Sequence, residues 1–363
     1  MIEDEPKPAP GGAPVAHEKR AVEAALVASA SDVQAKARRT ALVRMGGAIA
    51  AFVVVIAIVN VFSHGSFLTP GNLTNVLRQI TYNAILAIGQ TFVIITAGID
   101  LSVGSLIELT GVVMAGFANA SHLDGPPLVA ATLVVGLLVG CAAGFVNAVP
   151  VVKLNLPPFI TTLAMMLMAK GLAFKLAHGR PIAVDSRAFD GIGTGFLLEG
   201  PLRAVGLPGI PIAVLFMAAL VAIFAVVLTR TRFGRYVFAI GGNEEAARLA
   251  GIDVARTKTL VYVISGGCAA VAGLLLMARF QSGSPNTGIG SELQSIAAVV
   301  VGGTSLAGGR GSVVATFFGA LLIGVLNNVM NLLGIESYTQ DIVLGAVILI
   351  AVIVDELRKR YLA

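Results

Sequence analysis

Runs of apolar residues, each close to the length of a membrane-crossing helix and separated by polar connections, fill the chain from about residue 45 onward. A transmembrane α-helix needs about 20 predominantly apolar residues to cross the hydrocarbon layer, whereas helices of an aqueous core carry apolar stripes at helical spacing. Blocks without stripes exclude an ordinary soluble fold. The charge content agrees, because 12% of the 363 residues are Asp, Glu, Lys or Arg and 56% are hydrophobic. Soluble domains carry about 25% charged residues.

The blocks fall at 45–62, 82–97, 103–120, 128–149, 158–178, 211–229, 258–279, 294–308, 312–333 and 338–354. The expected fold is an all-α membrane protein, a polytopic bundle of about ten transmembrane helices, some of them interrupted. Blocks 82–97 and 294–308 are short for a full span, and leaving them out gives eight as the alternative count. With ten spans both termini fall on one side. Arg38, Arg39 and Arg44, the loop cations Arg230, Arg232, Arg235, Arg248 and Arg256, and the Arg358, Lys359, Arg360 cluster then share that side. The positive-inside rule makes it the cytoplasmic side. The net charge of +5 is thereby assigned to topology, and no nucleic acid is expected as a partner.

Residues 1–40 are rich in Pro, Ala and charge and fit a mostly disordered cytoplasmic tail, leaving 41–363 as the transmembrane domain with a cytoplasmic loop at 230–257. The first apolar run starts too late for a cleaved signal peptide. Cys141 and Cys268 lie inside apolar blocks, where free cysteine behaves as a small hydrophobe. No His/Cys/Glu spacing suggests a metal, and no cofactor is expected.

GIDLSVG at 98–104 matches GTSLAGG at 303–309 in spacing, and each precedes a Gly-containing span. Interrupted segments in matching positions of two halves mark the substrate path of many transporters. A chain with 42 glycines also produces such matches by chance. In the first of these stretches, Asp100 stands where the chain is still within or near the bilayer. It either caps the helix that starts near Leu101, the preferred alternative, or lines a path with Ser102. Glu108, inside the next span, has no capping role and either lines the path or pairs with another span. The amides of Asn83, Gln90, Asn147 and Asn327 suit a neutral hydroxylated solute, since they offer donors and acceptors together. Their alternative role is interhelical bonding worth about 1 kcal/mol each. Gly136, Gly140 and Gly144, and likewise Ser265, Ala269 and Gly273, recur at four-residue spacing and are taken as packing faces. Lys170 and Lys175 are placed near the outer end of their span, where long side chains snorkel to the interface.

The loop 230–257 carries a self-contained helix signal. Asn243 is a good N-cap, Glu244 and Glu245 suit the first turn, and Gly251 suits the stop. With Ala246 and Ala247 these residues make a docking element for a cytoplasmic partner. The chain holds no Gly-x-x-x-x-Gly-Lys-Ser/Thr loop, so it does not hydrolyse ATP by the P-loop route, and energy must enter through such a contact.

GIDLSVGS at 98–105, EEAARLAGI at 244–252 and SIAAVVVGGTSLAGGRGSV at 295–313, supported by NLPPFITTLAMM and HGRPI, resemble the permease of ribose-type sugar ABC importers over about residues 67–360. The resemblance implies a non-catalytic subunit, paired with an identical or homologous permease around a central path. It implies an ATP-binding subunit on the Glu245–Gly251 helix and a periplasmic or lipid-anchored solute-binding protein outside. It further implies a monosaccharide or polyol as solute. Glu108 departs from the small or apolar residue expected there and puts plain ribose in question. The alternatives are a permease for nucleosides or branched-chain amino acids, and an ion-coupled secondary transporter, for which only Asp100 and Glu108 offer intramembrane acids. A membrane-embedded enzyme lacks a clustered nucleophile, acid or metal set.

Overall fold

The computed structural model describes residues 59–61, 63, 65–203 and 209–362. The expected tail 1–40 and nearly all of the first apolar block lie outside the described residues. The main helices are α1 (Pro70–Ile95), α2 (Val103–Ala120), α3 (Gly125–Lys153), α4 (Pro158–Leu176), α5 (Ile212–Arg230) and α6 (Arg232–Gly242). They continue with α7 (Glu244–Leu249), α8 (Val254–Phe280), α9 (Ser291–Val301), α10 (Val313–Leu332) and α11 (Ser337–Leu362). Among the described residues, strands are limited to two antiparallel two-residue pairs, Ile182–Ala183 with Ser282–Gly283 and Phe196–Leu197 with Ile210–Pro211. The chain is an all-α polytopic membrane protein. Seven of its described helices, α2, α3, α4, α5, α8, α10 and α11, are long and apolar enough to cross a bilayer.

Helix α1 explains one of the two short blocks. Apolarity marks only its second half, but the helix has 26 residues and starts at Pro70, whose fixed φ suits a first turn. Tertiary bonds cover its polar half. Asn72 and Asn328 of α10 exchange amide hydrogen bonds at 2.9 Å, and the Arg78 guanidinium donates to the Thr194 carbonyl at 2.6 Å. Thr74 and Thr81 return their hydroxyls to carbonyls four residues back.

The centre of the bundle is α8 with α1 and α2 against it, nearly all of their side chains buried below the first turns. Small residues make this close approach possible. A Cβ added to Gly89 of α1 would stand 2.9 Å from the Ser265 Cα, and one added to Gly140 of α3 would stand 3.0 Å from the Ala270 Cβ. At Gly144 the obstacle is the Tyr262 carbonyl, so the α3–α8 contact is backbone on backbone. Helices α3, α4, α5 and α11 instead turn large apolar side chains outward, among them Leu138, Leu167, Ile223 and Leu349.

The second short block is α9, whose 11 residues span about 16 Å at 1.5 Å per residue, half of a bilayer core. The connection before it runs back into the bundle along α2. Gly283 lies against Gly111 and Ala115, and Gly288 against Gly104, so α9 begins midway between the two ends. It is a half-helix with its N-terminus in the interior.

Helices α1 and α9 end alike. Ala97 (φ 59°) and Gly303 (φ 85°) take the left-handed position after the helix. The Ala97 N–H donates to Ile94 and that of Gly98 to Val93, at 2.9 and 3.0 Å; Gly303 donates to Val300 and Thr304 to Val299, at 2.8 and 3.1 Å. These are paired Schellman closures. They place Ala97 opposite Gly303, one residue off the register that the glycines suggest. The next helix begins at Val103 in one half and Val313 in the other, so the second break is longer.

Candidate functional site: the two breaks, the interior acids and the loop helices

A carboxylate removed from water needs donors around it, and Asp100, with 0% exposure, has them. Its Oδ1 accepts the Ser102 N–H at 2.9 Å and the Ser102 hydroxyl at 2.6 Å, and its Oδ2 accepts the Ser265 hydroxyl at 2.8 Å. Asn147 of α3 donates to Ser102 Oγ at 2.9 Å, and Gln90 of α1 faces the Asp100 backbone, accepting its N–H at 3.2 Å. Thr162 of α4 accepts the Leu101 N–H and donates to the Ile99 carbonyl, both at 3.1 Å. Asp100 thus serves the backbone as a cap does, but from two residues ahead of the helix, since Ser102 is the N-cap of α2. The knot ties α1, α3, α4 and α8 to the break. Ser265, taken from its spacing as a packing residue, is in fact a donor to Asp100. Nothing in the sequence marks it, because its partner lies 165 residues away.

Gln90, Asp100, Ser102 and Asn147 are therefore gathered into one buried cluster. Asn83, Glu108 and Asn327 are not part of it. Asn327 is buried in α10 with no side-chain hydrogen bond among the described residues, and its neighbour Asn328 makes the bond to α1. Asn83 and Glu108 meet the first turn of α9. Asn83 donates to the Gln294 amide oxygen at 2.6 Å, and its own Oδ1 has no partner. Glu108 packs against Gly288 within electrostatic reach of Glu292 and Lys170, while its Oε2 has no partner and the residue is 2% exposed.

At the end of the bundle that holds the breaks, the loop after α5 folds into two helices where the sequence signalled one. Helix α6 is capped by Thr231, whose hydroxyl accepts the Gly234 N–H at 3.2 Å. Val237 and Ile240 are buried, and the Phe233 ring stacks on Phe92 of α1 at 5.9 Å between centroids. That i, i+4, i+7 spacing was the available signal for α6. Its last turn reaches both breaks at once. Gly241 packs on the Ile95 carbonyl and on the Gly309 amide, and the Gly309 N–H donates to that same carbonyl at 2.9 Å.

Helix α7 stands on α6. The Asn243 side chain accepts the Ala246 N–H at 2.9 Å, and Gly251 (φ 81°) closes the C-terminus. Glu244 bonds to Arg248 at 3.3 Å and to Lys258 at 2.5 Å, holding the helix to the start of α8. Ala247 packs with Ile240 and Val254. Glu245, Ala246 and Leu249 point away, and Leu249 is 85% exposed. Leu249 was not singled out from the sequence. A cavity of about 320 Å³ between α7, the end of α3 and the start of α8 is lined by Val151, Asn155, Glu244, Arg248, Asp253 and Lys258.

A family model described as branched-chain amino acid transport system / permease component matches residues 72–352. The ribose import permease protein of Escherichia coli is 44% identical over 313 residues, 85% of this chain and 92% of that protein. The ribose import permease protein of Bacillus subtilis is 43% identical over 303 residues, 84% and 89%. The xylose transport system permease protein of Escherichia coli is 37% identical over 363 aligned positions, 86% and 91%. No solved structure matches the chain significantly.

Proposed function

We propose that this chain, which belongs to the family of branched-chain amino acid transport system permease components, is the membrane-spanning subunit of an ATP-driven importer for a monosaccharide or polyol. It sits in the inner membrane with both termini in the cytoplasm, the side on which the basic loop 230–257 and the C-terminal Arg358, Lys359 and Arg360 lie. It pairs with a second permease, takes solute from a periplasmic or lipid-anchored binding protein, and receives its energy from a cytoplasmic ATP-binding subunit.

One observation carries this reading. An outward-facing helix, α7, is seated on α6, and α6 touches both interrupted segments of the bundle through Gly241. A partner that closes against Glu245, Ala246 and Leu249 moves a rigid pair of helices. Both breaks then feel the motion, and access switches from one side to the other. Asn83, Glu108 and Asn327 are assigned to the path. Gln90, Asp100, Ser102 and Asn147 hold the break that borders it.

The sugar assignment follows the ribose and xylose permeases, which the chain matches over most of its length. The family description favours a second solute class, branched-chain amino acids. A thermal-shift screen of the solute-binding partner against sugars, inositols, nucleosides and amino acids separates the two. The importer itself is tested by copurification and by uptake into proteoliposomes. A stable complex with an ATP-binding subunit and ATP-dependent accumulation are expected. Accumulation by the lone chain on an ion gradient would refute the proposal.

A further inference from the structure

The interior start of α9 leaves three groups without partners of their own kind. A carboxylate placed at mid-bilayer costs about 2.5–3.5 kcal/mol on insertion scales, so it is retained only where it faces a cavity, a partner or a solute. Glu108 Oε2 has neither donor nor cation at bonding distance among the described residues, and Asn83 Oδ1 likewise lacks a donor. Lys170 of α4 acts on both Glu108 and Glu292 by its charge, yet forms no ion pair with either.

The free N-terminus of a half-helix ordinarily attracts an anion. Here that role falls to the chain's own Glu292, the acidic residue of the first turn of α9. What stays open is two acceptors, Glu108 Oε2 and Asn83 Oδ1, and one ammonium donor. We infer that Glu108, Asn83 and Lys170, gathered at the start of α9, form the solute-selecting station of the path and that it takes an electrically neutral polyhydroxylated solute. A hydroxyl both donates and accepts, so adjacent hydroxyls fit an acceptor and an ammonium together. Lys170 repels a cationic solute, and the Glu108–Glu292 pair repels an anionic one. Glu292 and Lys170 are half-buried and open toward the outside of the chain, so solute reaches the station from the path side.

This inference rests on the import function proposed above, and the experiment separates the two. The complete importer, reconstituted in proteoliposomes with its ATP-binding and solute-binding subunits, is assayed with radiolabelled ribose, xylose, myo-inositol and glucosamine. ATP-dependent accumulation of at least one of the three neutral solutes is expected. Glu108→Ala should lower its maximal uptake rate about tenfold, and Glu108→Gln, which keeps an acceptor oxygen, should lose less. Lys170→Met, on a partly exposed face of α4, should also lose several-fold and decides the matter if Glu108→Ala does not assemble. Wild-type rates for the assembled variants would overturn the station and leave the importer standing. Preference of the wild type for glucosamine over the neutral solutes would overturn its chemistry. Absence of ATP-dependent uptake of all four would overturn the importer and this inference with it.

Discussion

At the residue scale, what holds the first break is a single carboxylate whose oxygens are spent on named donors. Replacing Asp100 by Ala leaves the Ser102 N–H and the Ser102 and Ser265 hydroxyls without an acceptor in a fully buried place. Unsatisfied buried groups of this kind cost about 1–3 kcal/mol each and do not add fully, so a loss of about 3 kcal/mol is expected. Asp100→Asn keeps one acceptor oxygen and should lose about 1 kcal/mol. Denaturant unfolding of the detergent-solubilised chain measures both, and an alanine variant as stable as the wild type would remove Asp100 from the anchoring role. Gly144→Ala probes the neighbouring contact. Its new Cβ meets the Tyr262 carbonyl, which belongs to a helix backbone and cannot turn aside, so α3 and α8 must separate. Overpacking of this kind costs about 1–3 kcal/mol, read as a lower unfolding midpoint in the same assay. Asp100 was visible in the sequence because intramembrane charge is expensive. Ser265 was not, because a serine in a stripe of small residues looks like packing until the fold brings its partner across.

At the element scale, caps proved more informative than apolarity. Helix α7 was legible residue by residue, from Asn243 at its start to Gly251 at its end, because capping is a local backbone requirement. Helix α6 was hidden by its brevity and its arginines. The first half of α1 was hidden because its polar side chains are satisfied by Asn328 and Thr194, partners that the sequence places far away. The block 294–308 was located but its limits were not, since Gly302 and Gly303 end the helix at Val301 while the apolar run continues. The exposed face of α7 makes its own prediction. Leu249→Asp places a charge on the most exposed apolar side chain of the helix without touching its core contact, Ala247. The permease should still insert, and its copurification with the ATP-binding subunit should be lost. Asn243→Ala removes the cap and should weaken the same complex by about 1 kcal/mol, seen as a several-fold rise in Kd. Retention of full affinity by Leu249→Asp would move the docking surface elsewhere.

At the scale of the whole molecule, the suggested repeat gains physical content from the matching Schellman closures at Ala97 and Gly303, with its register moved by one residue. Composition could announce the breaks, because glycines and a carboxylate interrupt apolar blocks. It could not say that they meet, and they do, at the Ile95 carbonyl. That oxygen accepts the Gly309 N–H and lies under Gly241 of α6, so one point joins both halves of the bundle to the loop helices. A residue there that takes up space should disconnect the drive from the path without removing either. Gly241→Val sets a branched side chain against the Ile95 carbonyl and the Gly309 amide, and α6 must lift away from both breaks. Its α7 face is left intact, so the ATP-binding subunit should still copurify with the permease. Uptake should fall about tenfold or more while hydrolysis continues, raising the ATP consumed per solute imported. Glu245→Lys, on the outward face of α7, should instead lower the solute-stimulated hydrolysis and uptake together. If the two variants gave the same pattern, docking and transmission would be one contact. If Gly241→Val imported solute at the wild-type ratio, the two breaks would switch without α6.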